Sequence, residues 1–73
     1  MDRNEAIDLI KKEINAAIGQ YGHFNSPHEG YAVIKEELEE LWDDIKHKHP
    51  EGFKEEAVQI AAMVIQFLVD FVE

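Results

Sequence analysis

The segment from Ala57 to Val72 constrains this chain most. Ala57, Val58, Ile60, Ala61, Ala62, Met63, Val64, Ile65, Phe67, Leu68, Val69, Phe71 and Val72 put apolar side chains on nearly every face of a helix. A surface helix shows one apolar stripe, whereas a helix apolar all round is a buried one. In a chain of 73 residues the two upstream segments cannot easily enclose it. The expectation is an all-α, three-helix chain that forms an oligomeric helical bundle, a homodimer or homotetramer. The third helix should run from about Glu51 or Phe53 to Val72. Its polar residues Glu56, Gln59, Gln66 and Asp70 follow at steps of three, seven and four, with Met63 between them, and so share one stripe. That stripe faces either water or the acidic helix before it, across a cleft.

Two earlier helices are legible. The first starts at Asp2 with Glu5 three residues on, a capping-box spacing. Ile7, Ile10, Ile14, Ala17 and Ile18 give it an apolar stripe, and Gly19 or Gly22 ends it. The second has the clearest start. Ser26 suits the cap, Pro27 the first helical position, and Glu29 can reach back to the cap backbone. Ile34, Leu38, Leu41 and Ile45 form its seam, and Pro50 stops it beyond Lys46 and Lys48. No stretch alternates with a period of two, so no strand is predicted. The whole chain, residues 1–73, reads as one domain.

Composition excludes several classes of function. With no cysteine there is neither a disulfide framework nor a thiolate metal site. A net charge of −9 opposes binding of nucleic acid or an anionic membrane through a broad basic surface. An anionic substrate would need a screening cation. Met1-Asp2-Arg3-Asn4-Glu5 is not a signal peptide, and Gln59, Gln66 and Asp70 interrupt the longest apolar run before it reaches a membrane span. A cytoplasmic, soluble protein is expected. The glycines are scattered, so no phosphate loop is formed, and no nucleophile stands beside a base. His47 and His49 are two apart on different helical faces and belong to the helix end rather than to a zinc site.

The acidic run carries the candidate chemistry. Glu36, Glu37, Glu39 and Glu40 fill four of five consecutive positions. Glu37 and Glu40 are three apart and project from one face, with Asp44 nearly in line with Glu37. Glu36 and Glu39 point further out. Such a run reads either as a solvated acidic face or as half of a hard-cation site. Its border position beside the seam of Ile34, Leu38, Leu41 and Ile45 favours the cation. The second half must come from another helix, where Glu56 is the first candidate and the Gln59 amide oxygen the next.

The motif Glu36-Glu37-Leu38-Glu39-Glu40, followed about sixteen residues later by Glu56, resembles the paired motifs E-E-x-x-E and E-x-x-D of the all-α nucleoside triphosphate pyrophosphatases (MazG-like proteins). The resemblance runs from about Ser26 to Asp70 and includes Ser26-Pro27-His28-Glu29-Gly30-Tyr31-Ala32, which is similar to the lead-in of compact, phage-type members. It implies a Mg²⁺-dependent hydrolase, with Mn²⁺ as a substitute, that splits a nucleotide substrate into monophosphate and pyrophosphate. It implies Glu37, Glu40 and Glu56 as metal ligands. Gln59 stands where that family has aspartate, which removes a charge and a strong ligand, and Asp44 is placed to compensate. Glu36 is then the candidate general base. Trp42 and His28 are candidates for substrate contact, while Tyr21, Phe24 and Tyr31 read first as core or interface aromatics. A non-catalytic oligomeric helical protein, binding nucleotide or cation weakly at most, is the alternative that Gln59 keeps open.

Overall fold

A computed structural model describes the backbone of residues 1–73, and the side chains of all but residues 18–21. The chain is all-α: α1 spans Arg3–Tyr21, α2 Pro27–Lys46 and α3 Phe53–Phe71, with a single 3₁₀ turn at Pro50–Gly52 between α2 and α3. No strand occurs among the described residues. The expected positions of Ile18 and Tyr21 lie outside the described side chains.

Local chemistry sets the helix starts. At α1 the Glu5 N–H donates to Asp2 Oδ1 at 2.9 Å, which holds the Asp2 carboxyl below its usual range. At α2 the Ser26 hydroxyl accepts the Glu29 N–H at 3.1 Å, and Pro27 takes the first turn. Glu29 reaches back one residue further than the capping box predicts. Its carboxylate accepts the Asn25 backbone N–H at 3.3 Å and the Asn25 side-chain amide at 3.0 Å. The loop before α2 is thereby tied to its first turn. Gly22, at φ +74°, ends α1 in a left-handed conformation that costs glycine nothing.

Pro50 is not what ends α2. The helix stops at Lys46, and His47 carries the cap. The N–H groups of His47, Lys48 and His49 donate to the carbonyls of Asp43, Ile45 and Asp44. Lys48 sits at φ 59°, a left-handed residue where glycine would be easier. His47 adds its ring, with Nδ1 2.8 Å from the Asp43 carbonyl. Of the two lysines expected in the last turn, Lys46 is there and Lys48 lies beyond the cap.

α3 is the common support. It packs against both α1 and α2, whereas no packing joins α1 to α2 among the described residues. Gly30 is buried at the α2–α3 crossing because Phe67 and Phe24 crowd it. A Cβ there would stand 2.8 Å from Phe67 Cδ2 and 3.2 Å from Phe24 Cδ2. Phe67 is held in turn edge-on to Phe71, ring centroids 5.0 Å apart, and Phe71 stacks on Phe24 at 6.4 Å. The rings cannot all yield, so Gly30→Ala should destabilise the fold by about 1–3 kcal/mol. Chemical denaturation checks this; a loss within error would mean that the helices separate freely at this point.

The orientation of α3 differs from that of a helix in a self-sufficient bundle. Its polar stripe faces inward: Gln66 is buried, and Glu56, Gln59, Met63 and Asp70 are half-buried. Ala62 is the one hydrophobic residue that is fully buried among the described side chains. The expected seam of α2 is corrected likewise. Ile34 and Leu41 are half-buried as expected, but Leu38 and Ile45 are exposed, and Gly30, Val33, Glu37 and Asp44 take part in the inward face instead.

Candidate metal centre

One turn of helix separates Glu37 from Glu40 on α2, and the antiparallel α3 brings Glu56, in its first turn, up against them. Each of the three offers a carboxylate oxygen lying within 4.8 Å of the other two. Oε2 of Glu37 and Oε2 of Glu56 are buried and have no hydrogen-bond partner, while Glu40 stands exposed at the rim. Two such carboxylates repel by on the order of 1–3 kcal/mol when fully charged, depending on how much water screens them.

The titration behaviour follows from this crowding. Desolvation, then the Glu40 charge, pushes Glu37 upward, and a smaller push comes from Glu36. Glu56 is pushed up to about 7 by desolvation first, then Glu40, then Glu37 and Asp44. A carboxyl raised in this way is one whose charged form lacks a counter-charge.

Asp44 completes the acidic line but sits differently. Its Oδ2 is buried, unpartnered and pressed against Gly52 in the 3₁₀ turn, where any Cβ would collide with it. Gly52 is therefore what makes room for this carboxylate beside α3. Asp44 acts on Glu56 through its charge and lies outside the group of three mutually close oxygens. Glu36 is exposed on α2 next to the group.

Gln59 is half-buried on α3 and shares a wall with Glu37. It lines a cleft of about 520 Å³ that begins at Glu37 and runs past Val33, Met63 and Gln66 to His23 and Phe24. The far end of this cleft is closed by a latch that spans 46 residues of sequence. Asp70 accepts the Phe24 N–H at 2.9 Å and the Gln66 amide at 2.6 Å, and it pairs with His23 Nδ1. Burial alone would raise the Asp70 carboxyl, but the bonds from Phe24, His23 and Gln66 outweigh it and hold the group below its usual range. Sequence reasoning placed Gln66 and Asp70 on the right stripe but gave no sign that His23 would meet them.

Trp42 and His28 lie apart from the cleft. Trp42 is exposed and shares an apolar patch with Leu38, Leu41 and Ile45, with the Lys46 ammonium 5.7 Å from its ring centroid. His28 is exposed in the first turn of α2, and Tyr31 is exposed one turn later. Among the described side chains, Phe24 is the phenyl or phenol ring that reaches the cleft.

The donor set fits a hard divalent cation. An octahedral Mg²⁺ holds oxygens at about 2.0–2.1 Å and so keeps neighbouring ligand oxygens roughly 3–4 Å apart. Three all-oxygen, anionic donors within 4.8 Å need only small side-chain rotations to meet that spacing. The two orphaned oxygens would then gain a partner of opposite charge. Against known proteins, no family model, no curated protein and no solved structure matches the chain.

Proposed function

We propose that this chain is a Mg²⁺-dependent nucleoside triphosphate pyrophosphohydrolase of MazG-like type, working as a homo-oligomer. The observation that carries this reading is the convergence of Glu37, Glu40 and Glu56 from two helices, with buried oxygens that lack partners. Those residues would hold the ion, with Mn²⁺ as an alternative. When bound, the ion supplies charge neutralisation for phosphate oxygens and acidifies an attached water. Glu36, exposed one residue before Glu37 on α2, would take the proton of an attacking water at its carboxylate. The cleft that opens from Glu37 accommodates the rest of the nucleotide between Val33, Met63 and Phe24, with the amide of Gln59 on its wall.

Pyrophosphate release from a panel of ribo- and deoxynucleoside triphosphates, with Mg²⁺ and with Mn²⁺, tests the reading. Release is expected from at least one of them, with Glu37→Gln lowering it more than about a hundredfold. Gln59→Asp should strengthen the response to Mg²⁺, because it restores an anionic donor next to Glu37. A negative panel would favour the second reading, a non-catalytic oligomeric helical protein. The observation behind that reading is Gln59 itself, a neutral amide on the cleft wall shared with Glu37.

A further inference from the structure

Gln66 is the one polar residue buried among the described side chains, with 5% of its surface exposed, and it lines the cleft at the end away from Glu37. Its amide nitrogen donates to Asp70 Oδ1 at 2.6 Å. Asp70, held below the usual carboxylate range, is ionised and can only accept. Gln66 must therefore turn its NH₂ group, and not its oxygen, toward Asp70. The reverse would set two desolvated oxygens against each other. The carboxamide oxygen is thereby fixed on the other side, where it accepts no hydrogen bond from a described residue. The fully buried orphaned oxygens belong to Glu37, Asp44 and Glu56. That of Gln66 is not one of them and opens to the cleft that the residue lines.

His23 repeats the pattern. Its Nδ1 pairs with the same Asp70 oxygen and stands 3.0 Å from the Gln66 nitrogen. A carboxylate needs a donor, so Nδ1 carries the proton, and the neutral ring keeps Nε2 as an acceptor. Phe24 and Met63 add apolar surface, and Glu13 and Glu29 add two more carboxyls. No ammonium or guanidinium group lines the cleft among the described residues. A phosphate is repelled by this end. A carbonyl oxygen finds no partner at the Gln66 oxygen, whereas a flat apolar ring bearing an N–H does.

We propose that Gln66 is a specificity-determining residue whose oxygen accepts from the exocyclic amino group of a nucleobase, so that the cleft takes 6-aminopurine and 4-aminopyrimidine nucleotides and rejects those with a carbonyl in that place. This assignment rests on the nucleotide reading above and names the base. Glu56 and Gln66 lie about 15 Å apart along α3, which leaves room for a sugar between phosphates at the cation and a base at Gln66. A carbonyl base would press its oxygen against that of Gln66 with no proton between them. The amide cannot turn over to suit it without setting its own oxygen against Asp70. Asp70 is thus a positioning residue, which acts on the base through the orientation of Gln66.

Equilibrium binding of α,β-methylene nucleotide analogues to the full chain tests it, because their bridge cannot be cleaved to release pyrophosphate. The ATP and ITP analogues exchange a 6-amino for a 6-carbonyl group, and the CTP and UTP analogues do the same at position 4. With Mg²⁺ at pH 7.5, calorimetry should show the amino member of each pair binding about ten- to a hundredfold more tightly. Asp70→Asn keeps the shape of the latch but can offer Gln66 either an oxygen or an NH₂ group, so the preference should fall to about threefold or less. A purely structural role for Asp70 would instead weaken both members of a pair equally. Should that variant not fold, the two pairs decide on the wild type alone. Binding without an amino preference, or a preference that survives in Asp70→Asn, overturns the assignment and leaves the nucleotide reading standing. No binding of any analogue overturns both.

Discussion

Millimolar Mg²⁺ or Mn²⁺ should raise the Tm of this protein, by roughly 5–10 °C if the ion is at ten times its Kd. The carboxylates of Glu37, Glu40 and Glu56 crowd within 4.8 Å, with two of their oxygens buried and unpartnered. In the metal-free state their mutual repulsion opposes folding, and a cation removes it. The double variant Glu37→Gln/Glu40→Gln separates this from a general salt effect. It should melt higher than wild type without metal, because two like charges are gone, and it should no longer respond to Mg²⁺. An equal rise in wild type and variant would show that the ion acts elsewhere on a chain of net charge −9.

Metal affinity should also depend steeply on pH. The Glu56 carboxyl sits at about 7, and a ligand must lose its proton to bind. Affinity should therefore fall as pH drops through 7, by roughly 25-fold between pH 7.5 and 5.5 if one proton is displaced. Isothermal titration across that range measures it, and a flat profile would remove Glu56 from the ligand set. Stability without metal moves in the opposite sense. Since the folded state holds this proton more tightly than the unfolded chain, whose glutamate titrates near 4.5, stability declines as pH rises from about 4.5 through 7. Glu56→Gln should flatten that decline.

Much of this was legible from residues that act locally. Asp2, Ser26 and Pro27 marked the helix starts because a cap is a contact over three residues. Glu37 and Glu40 could be paired because helical spacing alone puts them together, and Glu56 because a short connection returns α3 alongside α2. The rest depended on how the helices rotate against one another. Spacing showed that Glu56, Gln59, Met63, Gln66 and Asp70 share a stripe, but no periodicity reveals whether a polar stripe turns in or out. Half of the α2 seam was misplaced for the same reason: Ile34 and Leu41 turn inward, but Leu38 and Ile45 are exposed while Glu37 and Asp44 bury oxygens. The end of α2 was assigned to Pro50, yet left-handed Lys48 already turns the chain before it. The Asp70 latch joins residues 46 and 47 positions apart, a separation at which sequence pattern carries no information.

α1 leans on α3 alone, with no packing against α2 among the described residues. The acidic cluster, by contrast, is built wholly from α2 and α3. α2 is held by α3 and by the 3₁₀ turn, and in a small protein the element with fewer supports opens at lower free energy. Glu13 and Ala17 form the α1 wall of the cleft. An opening at that wall would leave the three carboxylates at their spacing, because none of them is carried by α1.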